Sequence, residues 1–271
     1  MAKMREIFNI LRAKILILEQ KRVPLQQVIS KFVPNSFFQF KQFTIHHDRC
    51  AMKVGTDGVL LGAWTNIENA QRIIDIGTGT GLIALMLAQR NQQATILGID
   101  ICENAISQAK ENAKNSPFSQ KINIENTSVQ NFAKQNQHVF DVAISNPPFF
   151  ANSLQSPTRK RTLARHTETL SLISLFSSVA KLLSAEGKFS IIYPFDTLRE
   201  ILDCATSQGF FLQRQTTVFP TPHTRPKRVL LEFSKQSPFT PIYYNELIVE
   251  TERHHYSDDF RALTKDFYLK L

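Results

Sequence analysis

The sequence predicts an α/β domain with a doubly wound, mostly parallel sheet of seven strands. Short apolar runs, with the length of buried strands, alternate with longer segments that have helical patterning. From residue 72 the order is strand, glycine-rich turn, helix, strand and helix, which is the start of a parallel sheet. The chain has 271 residues and is 42% hydrophobic, so it can bury a large core.

The individual elements follow from local patterns. Phe37 to Ile45 is rich in phenylalanine and predicts a strand or hairpin. The segment from Lys53 to Trp64 predicts an apolar helix with Thr56 or Asp57 as its N-cap. The seven predicted strands are residues 73–76, 94–99, 122–126, 140–145, 189–193, 210–218 and 229–233. The predicted helices between them include residues 82–90, 103–115, 170–183 and 197–208.

Residues 1–36 are predicted to be a basic N-terminal extension, helical or disordered, ahead of a domain at residues 37–271. Apolar residues recur at helical spacing between Met4 and Leu18, and much of the net charge of +9 lies in this extension. The charge favours an anionic partner such as nucleic acid. An RNA-binding or partner-binding arm and a poorly packed leader are both compatible with this pattern.

Cysteine usage and hydropathy point to a cytoplasmic protein. The three cysteines, Cys50, Cys102 and Cys204, are too far apart in sequence for a metal-binding pair, so no metal site is predicted. The longest apolar run near the start spans four residues, Ile15 to Leu18, so neither a secretory signal nor a membrane partner is predicted. The sequence makes no prediction of the oligomeric state.

A glycine-rich loop after the first strand of the parallel sheet predicts a ligand site. Gly77, Gly79 and Gly81 allow the backbone to approach a ligand closely at the start of a helix. Their spacing differs from the G-x-G-x-x-G fingerprint of dinucleotide sites, which disfavours a pyrophosphate. Asp100, at the end of the next strand, is placed to bind ribose hydroxyls. The loop and this acid together predict a nucleoside site.

The stretch Asn146-Pro147-Pro148-Phe149 follows a buried strand and predicts a second ligand-binding element. Two consecutive prolines remove two N–H donors and leave the carbonyls of Asn146 and Pro147 without helical partners. An amide, a carbonyl and a ring so close together can hold a flat group that carries an amino group. The alternative interpretation is an ordinary turn at the end of a strand.

The segment from Asp75 to Gly81, with Asp100 after the next strand, resembles the first motif of class I S-adenosylmethionine-dependent methyltransferases. The resemblance implies S-adenosylmethionine as the cofactor, with its methionine part near the glycine loop and its ribose at Asp100. Thr127-Ser128-Val129 departs from the pattern, because many relatives have an acid there that contacts adenine. The cofactor-binding candidates are Asp75, Gly77, Gly79, Gly81, Asp100, Ser128, Thr56 and Asp57.

In this context the Asn-Pro-Pro-Phe stretch resembles the catalytic motif of amino-group methyltransferases. The resemblance implies that Asn146 Oδ1 and the Pro147 carbonyl accept the two hydrogens of an exocyclic amine and direct its lone pair at the methyl group. Phe149 would stack on an extruded base, although tyrosine is common at this position in the family. The catalytic candidates are therefore Asn146, Pro147 and Phe149.

The four-residue motif is shared by methylases of DNA adenine, of RNA adenine or guanine, and of a glutamine in peptide release factors. Three further stretches, Phe40–Phe43, His47–Trp64 and Tyr256–Leu269, resemble the bacterial tRNA adenine-N6 methyltransferases that modify the adenosine next to the anticodon of valine tRNA. This resemblance covers about residues 38–271 and implies tRNA as the partner. A protein glutamine-N5 methyltransferase, a nicotinamide-dependent oxidoreductase and a non-catalytic RNA-binding module are the alternatives.

Basic residues near these motifs are candidate contacts for RNA phosphates. One group follows Phe149, and a second lies in a proline-containing turn before the last predicted strand. Solvated basic loops are the alternative interpretation. The substrate-binding candidates are Arg49, Arg159, Lys160, Arg161, Arg165, Lys227 and Arg228.

Overall fold

The computed structural model describes residues 35–50, 53–148 and 170–271. The strands are β1 (Phe37–Gln39), β2 (Thr44–His46), β3 (Arg72–Ile76), β4 (Thr95–Asp100), β5 (Ile122–Asn126), β6 (Phe140–Ser145), β7 (Leu183–Pro194), β8 (Phe211–Phe219), β9 (Arg228–Ser234), β10 (Tyr243–Ile248), β11 (Glu250–Glu252) and β12 (His255–Tyr256). The helices are α1 (Thr56–Trp64), α2 (Leu82–Arg90), α3 (Glu103–Lys114), α4 (Val129–Gln135), α5 (Leu172–Leu182), α6 (Leu198–Ser207) and α7 (Asp258–Thr264). Most of the predicted N-terminal extension lies outside the described residues.

The central sheet has the strand order β10-β8-β9-β7-β6-β3-β4-β5. Only β9 runs antiparallel to its neighbours in this sheet, so the prediction of a mostly parallel α/β sheet is confirmed. From β3 the chain moves outward through β4 and β5 and then returns to place β6 on the other side of β3. The order therefore reverses between β3 and β6, which is where open α/β sheets bind ligands.

The predicted number of seven strands is wrong, because this sheet contains eight among the described residues. The additional strand is β10, which pairs in parallel with β8 at the edge of the sheet. Its first four residues are exposed, and Asn245 and Glu246 lie in its middle. An edge strand of this composition lacks the apolar run that predicts the other strands.

Helices cover both faces of the sheet. Ile73 of β3 belongs to a buried cluster that includes apolar residues of α1, α2, α3 and α7. Its neighbour Ile74 belongs to a second cluster with residues of α4, α5 and α6. Because successive side chains of a strand point to opposite faces, β3 is buried on both sides, as expected of a parallel strand.

The predicted hairpin at Phe37 to Ile45 is confirmed. β1 and β2 pair antiparallel, with Phe37 opposite His46. Phe40 is 1% exposed and its ring lies 4.8 Å from that of Phe43, with Tyr268 of the C-terminal segment also in contact. The hairpin and the C-terminal segment therefore close one end of the same core.

The predicted N-cap of α1 is wrong. The N-cap residue is Gly55, and no side chain among the described residues caps this end of the helix. Thr56 and Asp57 are already part of the helix, so neither has the extended backbone of a capping residue. Asp57 instead accepts a hydrogen bond at 2.7 Å from Nε of Arg228, the first residue of β9.

The described residues hold neither a membrane-spanning helix nor a metal-binding cluster. Within them, no helix combines the length and apolar character required to cross a membrane. The same part of the chain holds no cluster of three or more His, Cys, Asp or Glu side chains that could bind a metal ion.

Candidate active site

The carboxyl ends of four adjacent parallel strands bring the predicted site residues together. The side of the sheet formed by these strand ends is called the active-site edge below. Asn146 follows β6, the glycine loop follows β3, Asp100 ends β4, and Ser128 comes two residues after β5. These strands lie side by side in the order β6-β3-β4-β5. The fold therefore places the two predicted ligand-binding elements on neighbouring strands at the point where the strand order reverses.

The glycine loop has a conformation that requires glycine. Gly77, Gly79 and Gly81 have φ angles of 73°, 56° and 81°, which side chains disfavour. The N–H groups of Gly77 and Thr78 both donate to the carbonyl of Ile99, at 2.9 and 3.0 Å, and anchor the loop to β4. A Cβ atom on Gly77 would meet no atom within 4 Å. The loop is thus fixed on one side and faces open space on the other, as a ligand cradle requires.

Asp100 is oriented by the backbone around it. Its Oδ2 accepts from the N–H of Gly79 at 3.0 Å, and its Oδ1 accepts from the N–H of Cys102 at 2.9 Å. Each carboxylate oxygen can accept a second hydrogen bond, so the pair fits the two hydroxyls of a ribose. Ser128, the other predicted contact at this side, caps α4 by accepting from the N–H of Asn131 at 3.2 Å.

Asp75 is a buried acid beneath the glycine loop. Its Oδ2 accepts a hydrogen bond from the Thr78 hydroxyl at 2.6 Å, and among the described residues Oδ1 has no hydrogen-bond partner. Burial raises the pKa of Asp75 to about 7, and the charge of Asp100 adds to this, while Thr78 and the Ala84 N–H oppose it. S-adenosylmethionine carries an ammonium and a sulfonium, so a cationic ligand above this acid fits the site.

We expect Asp75 to make the protein less stable as pH rises. Its pKa is higher in the folded state than its ordinary value of about 3.9, so the folded state binds more protons between about pH 4 and 7. The free energy of unfolding should fall across that window and level off above it. Asp75→Asn removes this titration. Between pH 5 and 8 the free energy of unfolding of the variant should therefore fall less than that of the wild type, by on the order of 2 kcal/mol. Urea unfolding of both proteins at pH 5 and pH 8 measures the difference, and an equal change in the two proteins would contradict the expectation.

The Asn146 side of the site is tied directly to the glycine-loop side. Asn146 is half-buried, Pro147 is buried and Pro148 is exposed. Ser145, the residue before Asn146, is fully buried and donates a hydrogen bond at 2.9 Å to the carbonyl of Ile76, the residue before the glycine loop. One cross-strand hydrogen bond therefore joins the residues that directly precede the two motifs.

The first turn of α1 lies against Asn146. A Cβ atom on Gly58 would lie 3.1 Å from Leu82 Cδ2 and 4.0 Å from Asn146 Nδ2, so only a small residue allows this approach. Leu82 is the first residue of α2, directly after the glycine loop. Thr56 is exposed at the start of α1, near this site, whereas Asp57 is held by Arg228.

The structure separates the predicted RNA contacts into three groups. Arg49 forms an ion pair with Glu111 at 3.0 Å, and Arg228 forms one with Asp57 at 2.7 Å. Lys227 is exposed at the active-site edge, beside Arg228. The remaining predicted contacts, Phe149, Arg159, Lys160, Arg161 and Arg165, lie outside the described residues.

Gly98 supports the site and was missed from the sequence. It pairs with Asp75 across β3 and β4. A Cβ atom there would lie 2.8 Å from both Thr78 Oγ1 and Ile124 Cδ1, so glycine leaves room for the hydroxyl that bonds Asp75. The sequence signal is a single glycine within an apolar strand, which indicates close approach of another group.

Gly98→Ala should destabilise the protein by about 1–3 kcal/mol and weaken cofactor binding, because the new methyl group displaces Thr78. Urea unfolding and calorimetric titration with S-adenosylmethionine measure the two effects. A second substitution, Ile124→Val, removes the atom on one side of the new methyl group and should restore only part of the stability. Full recovery of cofactor affinity in the double variant would show that Thr78 is not the important contact.

Comparisons with known proteins identify relatives of this chain. A profile described as a methyltransferase domain matches residues 67–223. A tRNA1(Val) (adenine(37)-N6)-methyltransferase from Parabacteroides distasonis is 48% identical over 237 residues, which cover 88% of this chain and 99% of that protein. One from Trichodesmium erythraeum is 46% identical over 235 residues, covering 86% and 98%.

A solved structure supports the fold. The crystal structure of a predicted O-methyltransferase from Agrobacterium tumefaciens superimposes with a TM-score of 0.61 at 20% identity, covering 78% of this chain and 96% of that one. At this identity the match bears on the fold alone. The profile and the relatives establish the family, because the profile matches more than half of the chain and the relatives are 46–48% identical over most of it. The chain belongs to the tRNA1(Val) (adenine(37)-N6)-methyltransferase family and uses S-adenosylmethionine as its cofactor.

Proposed function

We propose that this protein methylates N6 of an adenosine in tRNA, namely the adenine 37 of tRNA1(Val) that the relatives' names specify. The observation that carries the proposal is the placement of Asn146 and the glycine loop on neighbouring strands, linked by the bond from Ser145 to Ile76. A methyl acceptor held by one motif thereby lies next to a methyl donor held by the other. tRNA and the translation apparatus are found in the cytoplasm, where we expect the protein to act.

The residues around the cofactor have separate roles in this proposal. Asp100 binds the ribose, and the loop of Gly77, Gly79 and Gly81 lies along the methionine part. Burial raises the pKa of Asp75 to about 7, and a cationic ligand nearby would favour its charged form. Thr56 and Ser128 are at the margins of the same site. When bound, S-adenosylmethionine supplies a methyl group activated by its sulfonium.

The Asn146 motif orients the acceptor. The amine of adenine is a weak nucleophile because its lone pair is delocalised into the ring. Asn146 Oδ1 and the Pro147 carbonyl accept its two hydrogens and favour a nitrogen whose lone pair points out of the ring plane. Phe149 stacks on the base. Positioning and electrostatic complementarity promote the reaction, and water can take the proton, so no strong base is needed.

Binding of the tRNA backbone falls to basic residues. Lys227 is exposed at the active-site edge and is a candidate for contact with phosphate. Further candidates, outside the described residues, are Arg159, Lys160, Arg161 and Arg165. Arg49 is exposed, and its pairing with Glu111 leaves it at the surface where RNA can reach it. Phosphate contacts of this kind weaken with salt, since each one releases counterions.

The proposal is tested by the identity of the methyl acceptor. The protein is incubated with methyl-labelled S-adenosylmethionine and either unmodified tRNA or a peptide release factor. We expect label in the tRNA, recovered as N6-methyladenosine after digestion. Label in the release factor alone would support the glutamine methyltransferase, which the four-residue motif by itself does not exclude. The relatives' names favour tRNA.

A further inference from the structure

The ion pair between Asp57 and Arg228 joins two distant parts of the chain at the active-site edge. Asp57 Oδ2 accepts from Arg228 Nε at 2.7 Å, across 171 positions of sequence. The two side chains are 27% and 30% exposed, so water screens the pair less than a fully exposed one. A second bond, from Arg228 Nη1 to the carbonyl of Lys227 at 2.9 Å, orients the guanidinium. The pair connects the start of β9 to the first turn of α1.

This turn of α1 is the part of the helix that contacts the site. A Cβ atom added at Gly58, the residue after Asp57, would come within 3.1 Å of Leu82 at the exit of the glycine loop and 4.0 Å of Asn146 Nδ2, so the backbone of this turn lies close to both. Within the part of the chain that the structure describes, the same end of α1 has no side-chain cap. Asp57 in the first turn also interacts favourably with the helix dipole, and Arg228 holds that carboxylate in place. A shift of this turn would therefore move the surface against which Asn146 rests.

We propose that Asp57 and Arg228 are positioning residues, whose ion pair holds the first turn of α1 against Asn146. This assignment rests on the proposed function and replaces the expectation that Asp57 binds the cofactor and Arg228 binds RNA. The pair acts on the geometry of methyl transfer, so its loss lowers kcat and leaves the affinities for S-adenosylmethionine and tRNA nearly unchanged. Exchanging the two charges can restore the link, although it loses the favourable interaction of Asp57 with the helix dipole.

The test compares Asp57→Arg, Arg228→Asp and the double variant with the charges exchanged. Each single variant should lower kcat for tRNA methylation by about tenfold or more, because small displacements in an active site have large effects on rate. The dissociation constants for S-adenosylmethionine and tRNA should change less than about threefold. The double variant should recover most of kcat. Arg199→Asp, which breaks an exposed ion pair with Asp203 on α6, is the matched control.

Two other results would overturn the assignment. Weaker S-adenosylmethionine binding in both Asp57→Arg and the double variant identifies Asp57 as a cofactor contact. Weaker tRNA binding in both Arg228→Asp and the double variant identifies Arg228 as an RNA contact. Thermal unfolding of each variant separates these effects from a loss of the folded state.

Amide hydrogen exchange tests the same assignment without methylation. Peptides from α1 should exchange faster in each single variant than in the wild type and should return most of the way to the wild-type rate in the double variant. Unchanged exchange in the single variants would overturn the positioning role. A wild-type protein that binds S-adenosylmethionine but methylates no tRNA would instead overturn the proposed function, while the exchange result would still decide whether the pair holds α1.

Discussion

Asn146→Ala should lower kcat for tRNA methylation by about 10²- to 10³-fold, which is the usual effect of removing one hydrogen-bonding group that acts in the transition state. The substitution removes an acceptor for the amine and leaves the glycine loop and Asp100 in place. The side chain is half-buried, so its loss should change the folded state little. Single-turnover kinetics with saturating tRNA and cofactor measure the step directly.

The control for this variant is cofactor affinity, which calorimetry should find within about threefold of the wild type. Asn146→Asp keeps an oxygen that accepts a hydrogen bond, and it should retain more activity than the alanine variant. Wild-type kcat in Asn146→Ala would show that the amide does not orient the acceptor. A parallel loss of cofactor binding would mean that the residue supports the cofactor site instead.

Asp100→Asn should raise the dissociation constant for S-adenosylmethionine by about 10- to 100-fold. The amide lacks the charge of the carboxylate and has one acceptor oxygen in place of two, and charge-assisted hydrogen bonds contribute about 1.5–3 kcal/mol each. Part of the loss would come through the loop, because Asp100 also accepts from the N–H of Gly79 at 3.0 Å. Calorimetric titration of the purified protein measures the change.

Asp141→Asn is the matched control for Asp100→Asn. The Asp141 carboxylate also accepts hydrogen bonds from two backbone N–H groups, those of Gln71 and Arg72, at 2.7 and 2.9 Å. Asp141 lies near the amino end of β6, away from the active-site edge. Both substitutions weaken similar backbone contacts, so only the one at the carboxyl edge should alter cofactor binding. Equal losses in the two variants would indicate that Asp100 acts on stability and not on the cofactor.

The sequence predicted the position of the glycine loop and its need for glycine well, because these residues have local reasons to be where they are. Positive φ angles require the glycines, and an acid at the end of the next strand follows from the alternation of strands and helices. The pairing of Asp57 with Arg228 could not be predicted, since it depends on how residues 171 positions apart meet in space. β10 could not be predicted for a related reason. Its pairing with β8 defines it as a strand, and its own residues lack an apolar pattern.

The bond from Ser145 to Ile76 also bears on how such an enzyme acquires a new acceptor. Adjacent strands are about 4.8 Å apart in any sheet. In the proposed mechanism the donor and acceptor sites are attached to β3 and β6, so the distance that the methyl group crosses would depend on the pairing of these two strands. Loops at the rim can then change in length and charge to admit a different substrate, while the transfer distance stays constant.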